Sequence, residues 1–355
     1  MRLIVGCMTG TSLDGLDTVL AEVRGAGLAL RATVVARRSA SLGTLGPRLR
    51  ALAEQQPLTA GQIAILSRDF SRFHARVIRR LCDKRNPDLI AVHGQTVFHA
   101  PPVSWQLLTP MVIAHELQAP VISDLRAADL AAGGEGAPIT PLADLILYGH
   151  RRERRTVINL GGFCNLTRLP AGAQPELIRG GDVCACNQVL DGVARAVLGK
   201  PYDAGGRAAL SGTSDDAAER DLVQRLDRQR RAGRSLGTGD ELAEWIARHR
   251  LSPADLACTA SAAIATVIVR ATGPSDRLVL AGGGTRNRAL VQQLTARAGI
   301  PVSTSDELGI AAGDREALAM AVLGALSADG VPITLSAVTG VKRPPLSGMW
   351  CHPPG

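Results

Sequence analysis

Arg2-Leu-Ile-Val-Gly-Cys-Met8, Thr9-Gly-Thr-Ser-Leu-Asp-Gly-Leu16 and Asp17-Thr-Val-Leu-Ala-Glu-Val23 open the chain as an apolar run, a polar turn and a second apolar run. Both runs have the length and β-branched content of strands. A third strand at Ala32–Arg38 makes the start of the chain a meander. Helical patterning follows from about Gly46 to Lys84, broken near Pro57, and leads to Asp88-Leu-Ile-Ala-Val92, a buried type of strand that ends in His93-Gly-Gln-Thr-Val-Phe-His99. Pro120-Val-Ile-Ser-Asp124 reads as one more strand, and the Gly-, Ala- and Asp-dense loop from Leu125 to Pro141 marks a domain boundary.

Beyond that loop the pattern restarts. Arg155-Thr-Val-Ile-Asn-Leu160 is a strand, Gly161-Gly-Phe-Cys-Asn165 a glycine turn and Leu166-Thr-Arg-Leu169 a return strand. Both halves thus open with strand, Gly-rich polar turn and strand, as fusion of two related domains would produce. Helices at about 240–250 and 252–272 follow, the second with Ser252-Pro253 as N-cap and first helical residue. A strand at Asp276–Ala281, the turn Gly282-Gly-Gly284 and a helix over 287–299 form a nucleotide-binding type of junction, and a last helix covers about 314–328.

Glycine turns at strand ends let a ligand approach the backbone, whose successive N–H groups can cradle phosphate oxygens. In the first turn Thr11 and Ser12 add hydroxyls, while Asp14 and Asp17 suit a phosphate only if a divalent cation stands between them. A tight hairpin that satisfies its own backbone is the alternative for any one turn. Three such turns in two halves favour a nucleotide clamped between lobes, as in actin, hexokinase and the heat-shock ATPases. Neither the P-loop nor the dinucleotide fingerprint is present.

Composition narrows the classes. The 355 residues suffice for two domains, and no apolar run is read as approaching the roughly 20 residues of a membrane helix, so a soluble cytoplasmic protein without membrane partners is expected. The net charge of +8 comes from scattered arginines, with lysine only at Lys84, Lys200 and Lys342, and aromatics are 3%; nucleic acid is therefore not the expected partner. The seven cysteines have no disulfide or zinc spacing and read as small residues of tight turns.

The ordered series Gly6-Cys-Met-Thr-Gly-Thr-Ser-Leu-Asp-Gly-Leu-Asp17, His93-Gly-Gln-Thr-Val-Phe-His-Ala-Pro101, Asp124-Leu-Arg-Ala-Ala-Asp129 through Pro138, Asn159-Leu-Gly-Gly-Phe-Cys-Asn-Leu-Thr167 and Ala281-Gly-Gly-Gly-Thr-Arg-Asn287 resembles the anhydro-N-acetylmuramic acid kinases, relatives of levoglucosan kinase, over essentially the whole chain. The resemblance implies an α/β, two-lobed actin-like ATPase built from duplicated ribonuclease H-like domains with a central nucleotide cleft. The expected lobes are 1–125 with 334–355, and 126–333. It further implies ATP and Mg2+ as cofactors and a small anhydro sugar as substrate; the sequence leaves oligomeric state open, a homodimer included.

By the same matching, Asp182 would be the catalytic base with Glu316 beside the sugar. Gly10, Thr11, Ser12, Leu13, Asp14, Gly15, Leu16, Asp17, Gly161, Gly162, Gly282, Gly283 and Gly284 would hold the nucleotide, and Asp14 the metal. His93, Gln95, Arg126, Asp129 and Asn187 would lie near the sugar. Two stretches depart from the family. The usual Asp-Thr-Gly-Pro-Gly-Asn keeps only its ends, with Val183-Cys-Ala-Cys186 between, and a Pro-rich segment is reduced to Arg234-Ser-Leu-Gly-Thr-Gly-Asp-Glu241. A kinase of another sugar such as levoglucosan, or an ATP-binding regulatory homologue without transfer, therefore stand as alternatives.

Overall fold

A computed structural model describes residues 1–10, 13, 15–232 and 240–354. Among the described residues thirteen strands run in order: β1 (Arg2–Thr9), β2 (Leu16–Arg24), β3 (Arg31–Ala40), β4 (Leu89–His93), β5 (Gln95–Ala100), β6 (Val103–Leu107), β7 (Val121–Ser123), β8 (Arg155–Leu160), β9 (Phe163–Leu169), β10 (Arg179–Ala185), β11 (Arg277–Ala281), β12 (Val302–Thr304) and β13 (Met349–Cys351). They belong to two compact units. The first comprises Met1–Leu147, Ala173–Arg179 and Gly313–Gly355; the second comprises Tyr148–Gly172 and Gly180–Ala312, so the chain passes between them four times.

The sheet of the first unit has the order β13-β7-β4-β1-β2-β3, with β1 antiparallel to β2 and parallel to β4, and β4 parallel to β7. The second has β10-β9-β8-β11-β12, with β8 antiparallel to β9 and parallel to β11, and β11 parallel to β12. Numbered along each sheet, and apart from the added edge strand β13 of the first, both orders read 3-2-1-4-5 with the second strand reversed, which is the ribonuclease H arrangement used twice. The antiparallel pairs need only turns, whereas each parallel neighbour needs a crossover, supplied here by helices. Even a detail repeats. Asp88 exchanges backbone and side-chain bonds with Leu3 at the start of β1 (Leu3 N–H to Oδ2, 2.7 Å), and Asp276 does the same with Arg154 just before β8 (2.8 Å).

In the first unit the helix Ala60–Cys82 is started by a capping box between Thr59 and Gln62 and buries Leu66, Phe70, Ile78 and Leu81 on one face. The helix Arg315–Ala328 belongs to the first unit as well. It packs directly on β1 and β4: a Cβ on Gly6 would collide with the Ala317 carbonyl, and one on Gly324 would stand 2.7 Å from Ala91 Cβ. Arg2 at the start of β1 grips Asp329 beyond the helix's C-terminal end at 2.6 Å, and Arg37 of β3 reaches Asp314 at 3.3 Å. The helix therefore runs antiparallel to β1, with its N-terminus toward the end of the sheet where β1 leads into Gly10.

This packing corrects the expected lobes. Residues 126–147, 173–179 and 313–333 belong to the first unit, and the loop after Leu125 is no boundary, because it holds the helix Ala127–Ala131 on the first unit's own body. Two further readings change. The His93–His99 stretch does not simply end one strand: β4 stops at His93, and Gln95–Ala100 is one strand of the separate β5–β6 hairpin. The helix Pro253–Thr272 is long and apolar enough to cross a membrane by composition, against the reading that no run qualifies, yet 67% of that stretch is buried inside the second unit, where it forms the core with Trp245, Leu222 and Leu290.

Candidate functional site

In the second unit three loops meet at one end of the sheet. The turn Gly161-Gly162 follows β8; the Gly161 carbonyl accepts the Asn187 N–H (3.1 Å), and the Gly162 carbonyl accepts those of Cys186 (2.8 Å) and Gln188 (3.2 Å). Asn187 Nδ2 donates to the Leu160 carbonyl at 3.1 Å, so this side chain ties the end of β10 to the end of β8. The third loop, after β11, packs on the same spot. Gly282 has φ +83°, and a Cβ there would lie 2.5 Å from Asn159 Oδ1; on Gly284 it would lie 2.6 Å from Leu160 Cβ. These two glycines are required by close packing of turn on turn. Gly283 differs, since no atom lies within 4 Å of where its Cβ would be. Its backbone is open to a ligand.

Asp182 sits on β10, four residues before Cys186. Its side chain reaches solvent, it makes no hydrogen bond or ion pair among the described residues, and partial desolvation raises its pKa from the ordinary aspartate value. The divergent stretch after it has a packing explanation. Val183, Cys184, Ala185 and Cys186 are all buried in the core of the second unit, and a strand, not a Gly-Pro loop, presents the carboxylate. Burial pushes the thiols of Cys164 and Cys186 well above their usual pKa, leaving them protonated and inert. Among the described residues no cluster of His, Cys, Asp and Glu could hold a metal.

In the first unit, the Leu13 N–H donates to the Gly10 carbonyl (3.1 Å) and closes the first turn, with Leu13 at φ +55°. Leu13 and Leu16 bury their side chains, so only their backbone faces a ligand. Asp17 accepts the Ser39 hydroxyl at 2.5 Å, and Gly15 packs close to the Ala40 carbonyl. Thr11, Ser12 and Asp14, and with Asp14 the expected metal ligand, lie outside the described residues, as do residues 234–239 of the divergent Arg234–Glu241 segment. A cavity of about 180 Å³ lies beside the turn, lined by Leu13, Ser41, Gly43, Gly46 and Arg50 among others.

His93, Gln95, Arg126 and Asp129 gather beyond β4. Arg126 donates from Nε and Nη2 to His93 Nε2 (3.2 and 3.1 Å) and from Nη1 to the Gly136 carbonyl (2.8 Å). Gln95 is buried and donates to the Thr96 carbonyl at 3.2 Å. Asp129 is fully buried and already engaged: Oδ2 accepts the Gly136 N–H and Oδ1 the Thr339 hydroxyl, each at 2.8 Å. It fastens the Gly133–Gly136 loop to the tail segment. Glu316 stands half-buried in the first turn of its helix, where a carboxylate complements the macrodipole. Its neighbour Arg315 is buried and forks onto Asp144 at 2.6 and 2.8 Å. Sequence reasoning missed that pair and Gln106, whose Nε2 lies 3.2 Å from His93 Nε2.

Comparison with known proteins gives a consistent picture. The family profile described as anhydro-N-acetylmuramic acid kinase matches residues 2–352. Relatives of that name from Salinibacter ruber (33% identical, covering 98% of this chain and 96% of the relative) and Gloeobacter violaceus (35%, 99% and 99%) extend over nearly the full length. Among solved structures, an activator of 2-hydroxyisocaproyl-CoA dehydratase from Clostridium difficile aligns with a TM-score of 0.49 at 14% identity, over 92% of this chain and 96% of that one. A ROK family glucokinase from Streptomyces griseus aligns at 0.38 and 13%, over 91% and 99%. The fold assignment rests on the strand orders and not on these scores.

Proposed function

The chain belongs to the anhydro-N-acetylmuramic acid kinase family, and from that premise we propose that it is a cytoplasmic sugar kinase that opens the 1,6-anhydro bridge of anhydro-N-acetylmuramic acid and phosphorylates O6. The observation that carries this reading is Asp182, a carboxylate with no partner among the described residues and a raised pKa, on the strand after which Cys186 and Asn187 bond to the Gly161-Gly162 turn. A base needs a free lone pair and a pKa moved toward the working pH.

In the proposed reaction, Asp182 takes a proton from water as the water oxygen bonds to C1, the C1–O6 bond breaks, and O6 takes up the phosphoryl group to give N-acetylmuramic acid 6-phosphate. ATP, when bound, supplies that phosphoryl group. The open backbone at Gly283, with Gly161 and Gly162 beside it, suits a nucleotide, and Gly10 to Asp17 would cradle its phosphates. Mg2+ is assigned to Asp14 on the family resemblance. Arg126 is the cationic group we assign to the sugar, with Glu316 as a second acidic group of the reaction.

The buried Val183–Cys186 stretch favours a second reading, a kinase of a different anhydro sugar, because the residues that replace the family's loop face the core and leave the sugar different contacts. A coupled ADP-release assay over anhydro-N-acetylmuramic acid, levoglucosan and simple hexoses tests both. Turnover on the first supports the proposal; turnover on levoglucosan alone selects the second reading, and nucleotide binding without turnover on any sugar overturns both.

A further inference from the structure

Arg126 is a half-buried cation with no carboxylate within ion-pair distance among the described residues, an arrangement that needs an explanation because buried charges are normally paired. What holds it is a neutral ring. Its Nε–H and one Nη2–H both point at His93 Nε2, and Gln106 Nε2 approaches the same nitrogen at 3.2 Å. A guanidinium can only donate, so Nε2 is an acceptor and the ring proton is on Nδ1. A second proton on Nε2 would meet three donors at once. Burial and the adjacent guanidinium accordingly lower the His93 pKa to about 3, while burial lowers that of Arg126 only to about 10, so the pair is neutral plus cationic at pH 7.

Of the five guanidinium N–H groups, His93 takes two and the Gly136 carbonyl one, which leaves one on each terminal nitrogen. Two such donors suit a carboxylate or another pair of oxygens. We propose that His93, its ring contacted by Gln106, is a neutral clamp that aims Arg126 without an ion pair, so that His93 is a positioning residue and the guanidinium is kept for an oxygen-rich group of the substrate. The substrate part of this inference rests on the reading of Arg126 given under Proposed function. Gln106 comes from the β5–β6 hairpin, so that insertion contributes to the clamp.

The test is a double-mutant cycle read as separate KM and kcat values. His93→Leu, which removes the acceptor, is expected to raise the KM for the sugar about 10- to 100-fold, the range for a hydrogen bond to a charged group, with kcat and the KM for ATP within a few-fold. His93→Gln, whose Oε1 can replace Nε2, restores it. Arg126→Ala gives a similar loss, and adding His93→Leu to it changes nothing more. Gln106→Leu, on the half-buried hairpin, gives a smaller rise in KM in a background less prone to folding loss. Additive losses, or a loss in kcat that His93→Gln does not rescue, overturn the clamp.

A substrate-free readout separates this proposal from the functional one. The 15N spectrum of His93 is expected to show the Nδ1–H neutral form down to about pH 4, and the Arg126 Nε–H resonance to be slowly exchanging in the wild type and fast in His93→Leu. If those signatures appear while Arg126→Ala leaves the sugar KM unchanged, the clamp holds and its assignment to the sugar is overturned. If they are missing, the clamp itself is overturned.

Discussion

The two units share a strand order but not the chemistry at their strand ends. In the second, the loops after β8 and β11 are glycines held turn against turn, and what faces outward is backbone plus one carboxylate, Asp182. In the first, the segments after β4 and β7 carry His93, Gln95, Arg126 and Asp129, a polar network in which Asp129 is fully engaged while His93 Nδ1 and Gln95 Oε1 are buried without a hydrogen-bond partner among the described residues. The difference teaches that the scaffold fixes where ligands can approach and leaves the chemistry open. In α/β sheets of this kind, ligands approach the carboxyl ends of the parallel strands.

The largest expected effect tests whether the reaction step belongs to the second unit. Asp182→Asn is expected to lower turnover by about 10²- to 10⁴-fold, the usual contribution of a general base, with ATP affinity unchanged within a few-fold. A change confined to the sugar KM would erase the contrast with Arg126. Next in size is Gly6→Ala in the first unit. Its added methyl must displace the backbone of Ala317, so a loss of about 3 kcal/mol in urea-unfolding free energy is expected. A wild-type midpoint would show that the helix Arg315–Ala328 is not seated as described.

Acid should act on the first unit in particular. His74, whose Nδ1–H donates to the Phe70 carbonyl, and His93 are both buried with pKa values lowered from 6.5 to about 4 and about 3, in each case by desolvation first. Between those values and 6.5 the unfolded chain binds protons that the folded chain does not. Stability therefore falls as pH drops below 6.5, on the order of 3 kcal/mol or more for each histidine by pH 4. Hydrogen exchange at pH 7 and pH 5 is expected to show β4 and the helix Ala60–Cys82 losing protection ahead of β8 and β11. The reverse order would break the comparison.

The smallest effect checks the symmetry of the scaffold. Asp88→Asn and Asp276→Asn weaken matching backbone bonds at the starts of the two sheets, and each is expected to lower the thermal midpoint slightly, Asp276→Asn somewhat more because Asp276 also pairs with the Arg154 guanidinium (2.7 and 3.2 Å). One large and one negligible shift would mean that the shared detail is coincidental.

Much of this was legible in the sequence. The β1–β2 and β8–β9 pairs are dense apolar runs around glycine turns, and their repetition pointed to two similar units. Other elements were hidden for physical reasons. β10 begins Arg-Gly-Gly-Asp and has no alternation in its first half, so Asp182 read as a loop residue; β6 follows two prolines; β12 and β13 have three residues each. The domain limits failed because the affinity of the helix Arg315–Ala328 for β1 is a contact across some 300 residues, made possible by the missing side chain of Gly6. Among site residues, motif order marked His93, Arg126 and Asp129, while Gln106 and the Asp144–Arg315 pair became visible only through their contacts.

The fourfold passage of the chain between units has a consequence for biosynthesis. The first four strands of the N-terminal sheet leave the ribosome with an uncovered apolar groove at Gly6, and the helix that fills it is made roughly 300 residues later, roughly 15 to 60 s at ordinary elongation rates. During that interval the second unit, apart from one short excursion of the chain, can be completed first. The first unit, begun first, is thus the last to be completed, and its apolar groove at Gly6 stays open until the helix Arg315–Ala328 is made.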